Sequence, residues 1–160
     1  MQLNKVIAAT DFSEASLVAL ETVFNLNLDE GATIYVVHVL DMPAGIDPMG
    51  TLGPSLEEFK EEARQKLAGM IPANVPENVS IQTVVLRGTP SKAISEFARQ
   101  QDADLIVVST HGRSGLARLL MGSTAETVLR KAPCQVLVAK HKAALLEELP
   151  EDETIKAETS

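Results

Sequence analysis

The stretch LIVVSTHGRSGLARLLMGSTAETVLRKAPCQVLVA, residues 105–139, decides how this 160-residue chain folds. It opens on an apolar run, Leu105–Ser109, and passes through Gly112, Gly115 and Gly122. Helix-forming residues follow to Lys131, and a second apolar run, Gln135–Ala139, comes after Pro133. Two short apolar runs joined by a helix form a crossover, and a crossover of that length pairs its strands in parallel. The same alternation runs back to the first residues. Lys5–Thr10 reads as a strand, Ser13–Phe24 as a helix capped by Ser13, and Thr33–Leu40 as a strand. Ser55–Met70 reads as a helix opened by a Ser55/Glu58 capping box, Val79–Arg87 as a strand and Thr89–Gln101 as a helix. Asp41–Pro54, with three Pro and three Gly, reads as a loop, Thr110–Met121 as an irregular glycine-bearing segment, and Gly122–Lys131 as the fourth helix.

The strands are apolar on both faces, as they must be when helices cover both sides of a sheet. The expected fold is therefore α/β: a single doubly wound domain over residues 1–140, with a five-stranded parallel sheet in the order 3-2-1-4-5. In that order the winding reverses between strands one and four. Ligands of open α/β sheets bind at this switch, outside the carboxyl ends of the strands. The segments brought there are Ala9–Ser13 and Ser109–Thr124. Residues 141–160 are expected to form an acidic, flexible tail in which Ala143–Leu149 could make a short helix.

Composition narrows the function classes. The formal net charge is −8 and only 3% of residues are aromatic, with no Trp. Both oppose a nucleic-acid surface, which needs cations for the backbone and aromatics for the bases. The charge is uneven: residues 1–86 hold 12 acids and 4 bases, residues 87–140 hold 4 acids and 8 bases, and residues 141–160 hold 6 acids and 2 bases. An anionic ligand is best sought on the basic stretch. One cysteine, Cys134, allows no disulfide framework, and it is expected to pack in the core. No apolar run approaches the roughly 18 residues of a membrane span, and Met1–Lys5 does not open a signal peptide, so a cytoplasmic location is expected.

The segment from Ser109 to Thr124 carries the chemistry. Glycines let backbone approach a ligand closely, and Gly122-Ser123-Thr124 at a helix start offers N–H groups, two hydroxyls and the positive end of the helix dipole. Arg113 and Arg118 can reach phosphates from the same segment. Neither the P-loop pattern nor the G-x-G-x-x-G pattern is present, and Thr10-Asp11-Phe12-Ser13 after strand one has no glycine. His38, in an apolar strand, reads as a satisfied core histidine, and His111 as a loop residue that could touch phosphate. No Ser-His-Asp, Cys-His or paired-carboxylate set stands out, so neither a catalytic residue nor a protein-held metal site is expected.

Three blocks resemble the universal stress protein family: Val6-Ile-Ala-Ala-Thr-Asp-Phe-Ser13, Val37-His-Val39, and the segment from strand four through Ala125-Glu126 to Pro133-Cys-Gln-Val-Leu-Val138. The nucleotide-binding branch of that family carries G-x2-G-x9-G-[ST]. Gly112, Gly122 and Ser123 match it, while Ser109 stands where the first glycine is usual and Ala9 where proline is frequent. The resemblance implies ATP, or ADP or AMP, as ligand. It implies that Ala9, Thr10, Asp11 and Val39 border the adenosine, and that Ser109, Thr110, His111, Gly112, Arg113, Ser114 and Gly115 wrap the ribose and phosphates. It also implies that Gly122, Ser123, Thr124 and Ala125 hold the distal phosphates, with Mg²⁺ carried on the phosphates rather than in a protein cage.

Two functions compete on this reading: a nucleotide-binding stress-response regulator, and a slow ATPase or nucleotide hydrolase on the same fold. A phosphoacceptor domain is set aside, because Asp11 lacks an acidic partner and strand three ends at Arg87-Gly88. Strand five, Gln135–Ala139, is expected at an apolar sheet edge, which a homodimer would cover by pairing strand five with its copy. The alternative cover is the tail near Leu145–Leu149.

Overall fold

The computed structural model describes residues 2–41, 54–110 and 121–140. The expectations for the loop within 42–53, for residues 111–120 and for the acidic tail lie outside the described residues. Among the described residues nine elements alternate: β1 (Lys5–Ala9), α1 (Glu14–Phe24), β2 (Thr33–Leu40), α2 (Leu56–Gly69), β3 (Ser80–Arg87), α3 (Pro90–Gln101), β4 (Leu105–Ser109), α4 (Ser123–Lys131) and β5 (Gln135–Ala139). All strand pairs are parallel and the order is β3-β2-β1-β4-β5, as the sequence predicts. Helices α1 and α2 begin where the sequence supplies side-chain caps. Ser13 accepts the N–H of Ser16, and Ser55 and Glu58 form the reciprocal capping box.

The period of two along each strand divides the core between the faces. Val6, Ala8, Ile34, Val36, Leu105 and Val107 pack with Ala19, Leu20 and Val23 of α1 and Leu67 of α2. Their neighbours Ile7, Tyr35, Val37, Val39, Ile106 and Val108 pack with Ile94 and Ala98 of α3 and Ala125 and Val128 of α4. So α1 and α2 cover one face, and α3 and α4 the other. The inner strands β1, β2 and β4 are buried on both sides, whereas the edge strands β3 and β5 are exposed or half-buried except at Ala139. Among the described residues no helix is long and apolar enough to cross a membrane.

This packing sets the cost of a core change. Ile106 is fully buried in the centre of the sheet. Ile106→Ala should lower unfolding free energy by about 2–5 kcal/mol, from lost transfer energy plus the cavity left behind. Urea denaturation followed by circular dichroism checks this, and a loss well under 1 kcal/mol would mean the site collapses without cost.

Candidate functional site

At the carboxyl end of the sheet β1 stops at Ala9, and the next residues turn away from the ladder. The Thr10 N–H still bonds to the Val37 carbonyl, at 2.9 Å. Phe12 then takes φ 67°, a left-handed conformation that is an outlier for a bulky side chain. A hydrogen-bonded chain holds the turn. The N–H of Phe12 donates to Thr10 Oγ1 at 3.0 Å. Ser16 Oγ donates to the Ser13 carbonyl at 2.8 Å, so the Thr10 hydroxyl, 2.8 Å from Ser16 Oγ, is the donor in that contact. Asp11 Oδ1 accepts both the N–H and the hydroxyl of Ser13. Asp11 therefore braces the cap of α1 without being the cap.

The ring of Phe12 lies on the His38 imidazole, with centroids 4.1 Å apart. His38 is buried, and its Nδ1 sits 2.9 Å from the Thr10 carbonyl. A carbonyl only accepts, so Nδ1 carries the proton and donates. The histidine predicted to be a satisfied core residue is one on this side, and it also lines the cavity below.

On β2, alternate residues turn their backbone groups to alternate neighbours. The Val37 carbonyl faces β1 and the Leu40 carbonyl bonds to Gly88 beyond β3. Val39 therefore directs its N–H and C=O to the β1 side, past the point where β1 has ended. Across β1, the N–H of Gly122 donates to the Thr110 carbonyl at 2.6 Å, and the Gly122 carbonyl accepts the Glu126 N–H, at 3.0 Å, closing the first turn of α4. The sequence reading counted the Gly122 N–H as available to an anion. It is instead spent on fixing the helix start. The N–H groups of Ser123, Thr124 and Ala125 have no partner within the helix. Gly122 gives α4 no side-chain cap.

These groups meet in one cavity of about 620 Å³. Among the predicted site residues, Ala9, Thr10, Asp11, Val39, Ser109, Thr110, Gly122, Ser123, Thr124 and Ala125 all line it. His111, Gly112, Arg113, Ser114 and Gly115 lie outside the described residues, as does Arg118. The structure adds a wall that the sequence reading missed: Phe59, Glu62, Ala63 and Lys66 of α2, together with Phe12. Lys66 Nζ lies 2.6 Å from Glu62 and 5.6 Å from the centre of the Phe12 ring. The ammonium beside Glu62 holds its carboxyl below the usual carboxylate range. Among the described residues the cation lining the cavity is Lys66, from the acidic first part of the chain, and none of Arg87, Lys92, Arg99, Arg130, Lys131 or Lys140 lines it. The signal available in the sequence was helical spacing. Residues 59, 62, 63 and 66 share one face of α2.

The comparisons with known proteins agree with this architecture. The profile of the universal stress protein family matches residues 2–140, and the chain belongs to that family. Universal stress protein MJ0531 of Methanocaldococcus jannaschii is 37% identical over 139 residues, which is 86% of this chain and 82% of that protein. The solved structure of MJ0577, a second universal stress protein of that organism, is 27% identical with a TM-score of 0.70, covering 89% of this chain and 99% of its own. A universal stress protein in complex with cAMP shares the fold with a TM-score of 0.62 at 22% identity, covering 88% and 99%.

Cys134 is half-buried beside the second core cluster, outside the cavity. Burial, and secondarily the charge of Asp104, raises its thiol above the ordinary value. A raised folded pKa favours the neutral thiol, so its stabilising contribution is complete below the unfolded pKa and is lost as pH rises through and above that range. Alkylation by iodoacetamide at mildly alkaline pH should be several-fold slower in native protein than in urea. Equal rates would show an accessible, ordinary thiol.

Proposed function

We propose that this protein binds an adenine nucleotide in the crevice over the end of β1 and acts as a regulatory module. The observation that carries the reading is a cavity with chemically different ends. The helix start of α4, closed by a glycine without a side-chain cap, suits phosphate. On the other side of β1, the N–H and C=O of one residue, Val39, suit the adjacent acceptor and donor on the edge of a 6-aminopurine. Asp11 accounts for a ribose or adenosine contact, and Ser109 to Gly115 for the ribose and phosphates between the two ends. Ser109 in place of the usual glycine leaves the α4 site intact. At about 620 Å³ the cavity falls within the usual size of small-molecule sites, roughly 300–1,000 Å³.

Mg²⁺ would arrive on the nucleotide's phosphates and neutralise part of their charge. In that role the ion takes its oxygens from the phosphates rather than from a protein cage. A regulatory rather than hydrolytic role is supported by how the polar groups are used. Asp11 Oδ1 is occupied by Ser13 and the Nδ1 proton of His38 by Thr10. A slow ATPase is the competing reading. A stress-response role and a cytoplasmic, reducing setting that keeps Cys134 as a thiol belong to the same proposal.

ATP with Mg²⁺ should raise the melting temperature, with a stabilisation of about 2.7 kcal/mol at a hundredfold excess over Kd. Gly122→Val should remove that shift while the protein stays folded, and phosphate release should remain far below the enzyme median of about 10 per second. No shift at millimolar ATP refutes nucleotide binding. Turnover near the median refutes the regulatory reading in favour of the enzyme.

The reading includes a closed homodimer through β5. Its pairing edge opposite β4 is apolar in sequence, and Leu137 is 37% exposed. Such an edge is an association surface that proteins normally cover, and a second copy related by a two-fold axis covers both edges at once. Light scattering should give twice the 17.2 kDa chain mass. Leu137→Pro or Val138→Lys should bring it towards one chain. A parent monomer at micromolar concentration, or a dimer unaffected by both changes, rejects this interface.

A further inference from the structure

Lys66 is the cation at the crevice among the described lining residues, where it shares the walls with the carboxylates of Asp11, Asp41 and Glu62. We propose that Lys66 is a phosphate-binding residue of the crevice, one that exchanges Glu62 for the negative charge of the bound ligand. The inference rests on the nucleotide reading above and adds a contact from α2 to it.

Three features of the fold support the assignment. The first is position. α2 packs on the α1 face of the sheet through Leu67, and α4 packs on the opposite face through Ala125 and Val128. A phosphate lying between them over the end of β1 meets the partial positive charge of the α4 N-terminus from one side and a full ammonium charge from the other. The second is direction. Nζ lies 5.6 Å over the Phe12 ring, and that ring is itself fixed against His38 by the left-handed turn. The attraction between cation and ring draws the ammonium towards the crevice lining. The third is availability. The Lys66 and Glu62 side chains are 53% and 60% exposed, and an exposed i,i+4 pair of this kind contributes little net stability. A phosphate, with up to two negative charges, competes well for the ammonium, which swings on a flexible four-carbon stem. Glu62 is then an internal competitor that holds Lys66 at the rim until a ligand arrives.

The two residues should act in opposite directions on one measurement. Equilibrium binding of AMP and of adenosine is compared for the parent protein, Lys66→Met, Lys66→Arg and Glu62→Gln. Lys66→Met keeps an unbranched stem over Phe12 and should weaken AMP roughly tenfold, the weight of one charge-assisted contact, while leaving adenosine unchanged. It should also flatten the salt dependence of AMP binding. Lys66→Arg should retain AMP binding, and Glu62→Gln should tighten it about two- to fivefold by removing the competitor and a nearby negative charge. Unchanged AMP affinity in Lys66→Met, or an equal loss for adenosine, overturns the assignment and leaves the nucleotide reading standing. A parent protein that binds neither AMP nor ATP overturns both. Because both side chains are half-exposed, melting temperatures near that of the parent are expected for all variants, and the opposite sign of Glu62→Gln separates a ligand contact from a folding defect.

Discussion

Strand β1 is hydrogen-bonded to β2 on one side and to β4 on the other, and it is shorter than β2 by three residues at its carboxyl end. The rest of the architecture depends on this. Parallel strands need crossovers, and right-handed crossovers from a central strand leave it to opposite faces according to the direction of travel. The connection leaving β1 enters α1 on one face and the connection leaving β4 enters α4 on the other. Among the described residues, neither connection covers the end of β1. Backbone groups that would continue the ladder, those of Val39 above all, are turned towards that gap. The cavity follows from the strand order, and it would move if the order changed.

The turn after β1 stores strain that the surrounding contacts hold in place. A phenylalanine at positive φ costs of order 1–3 kcal/mol and persists only where neighbours over-determine it. Here the neighbours are the Thr10 and Ser16 hydroxyls, the Ser13 cap and the His38 ring. Strain of this kind is common where a structure must present particular groups. In this turn it sets the Asp11 carboxylate and the Phe12 ring on the same cavity. The four phenylalanines of the chain are Phe12, Phe24, Phe59 and Phe97, and two of them line it.

On the proposed nucleotide reading, a protein of net charge −8 attracts its anion locally, against its long-range field. The sequence places an excess of bases in residues 87–140, yet the described bases of that stretch lie away from the crevice, and Arg130 is paired to Glu126 on the outer surface of α4. Among the described residues, the groups that the proposed reading gives this role are the oriented amides at the glycine-capped start of α4 and the Lys66 ammonium of an acidic helix. Such groups act over a few ångströms, where solvent screening is weakest, and leave the remote surface acidic.

How much was legible beforehand depended on how local the deciding physics is. Strand and helix identities and the Ser13 and Ser55 caps could be read from hydrophobic period and cap chemistry, because each is set within a dozen residues, and the five-stranded order followed from the crossover rules that parallel strands obey. The convergence of Ala9–Asp11, Val39, Ser109–Thr110 and Gly122–Ala125 on one site was readable too, since a parallel sheet puts every strand's carboxyl end on the same edge. The α2 wall was not. Glu62 and Lys66 look in sequence like an ordinary exposed i,i+4 pair, and only the packing of α2 beside the β1 turn brings them to the crevice. The loss of the Gly122 N–H to Thr110 was equally hidden, because it depends on the angle at which α4 leaves the sheet. The sequence by itself determined the elements, their order and the edge on which the cavity opens. Tertiary structure alone decided which charges reach that edge and which backbone donors remain for a ligand, because those depend on angles and distances between segments far apart along the chain.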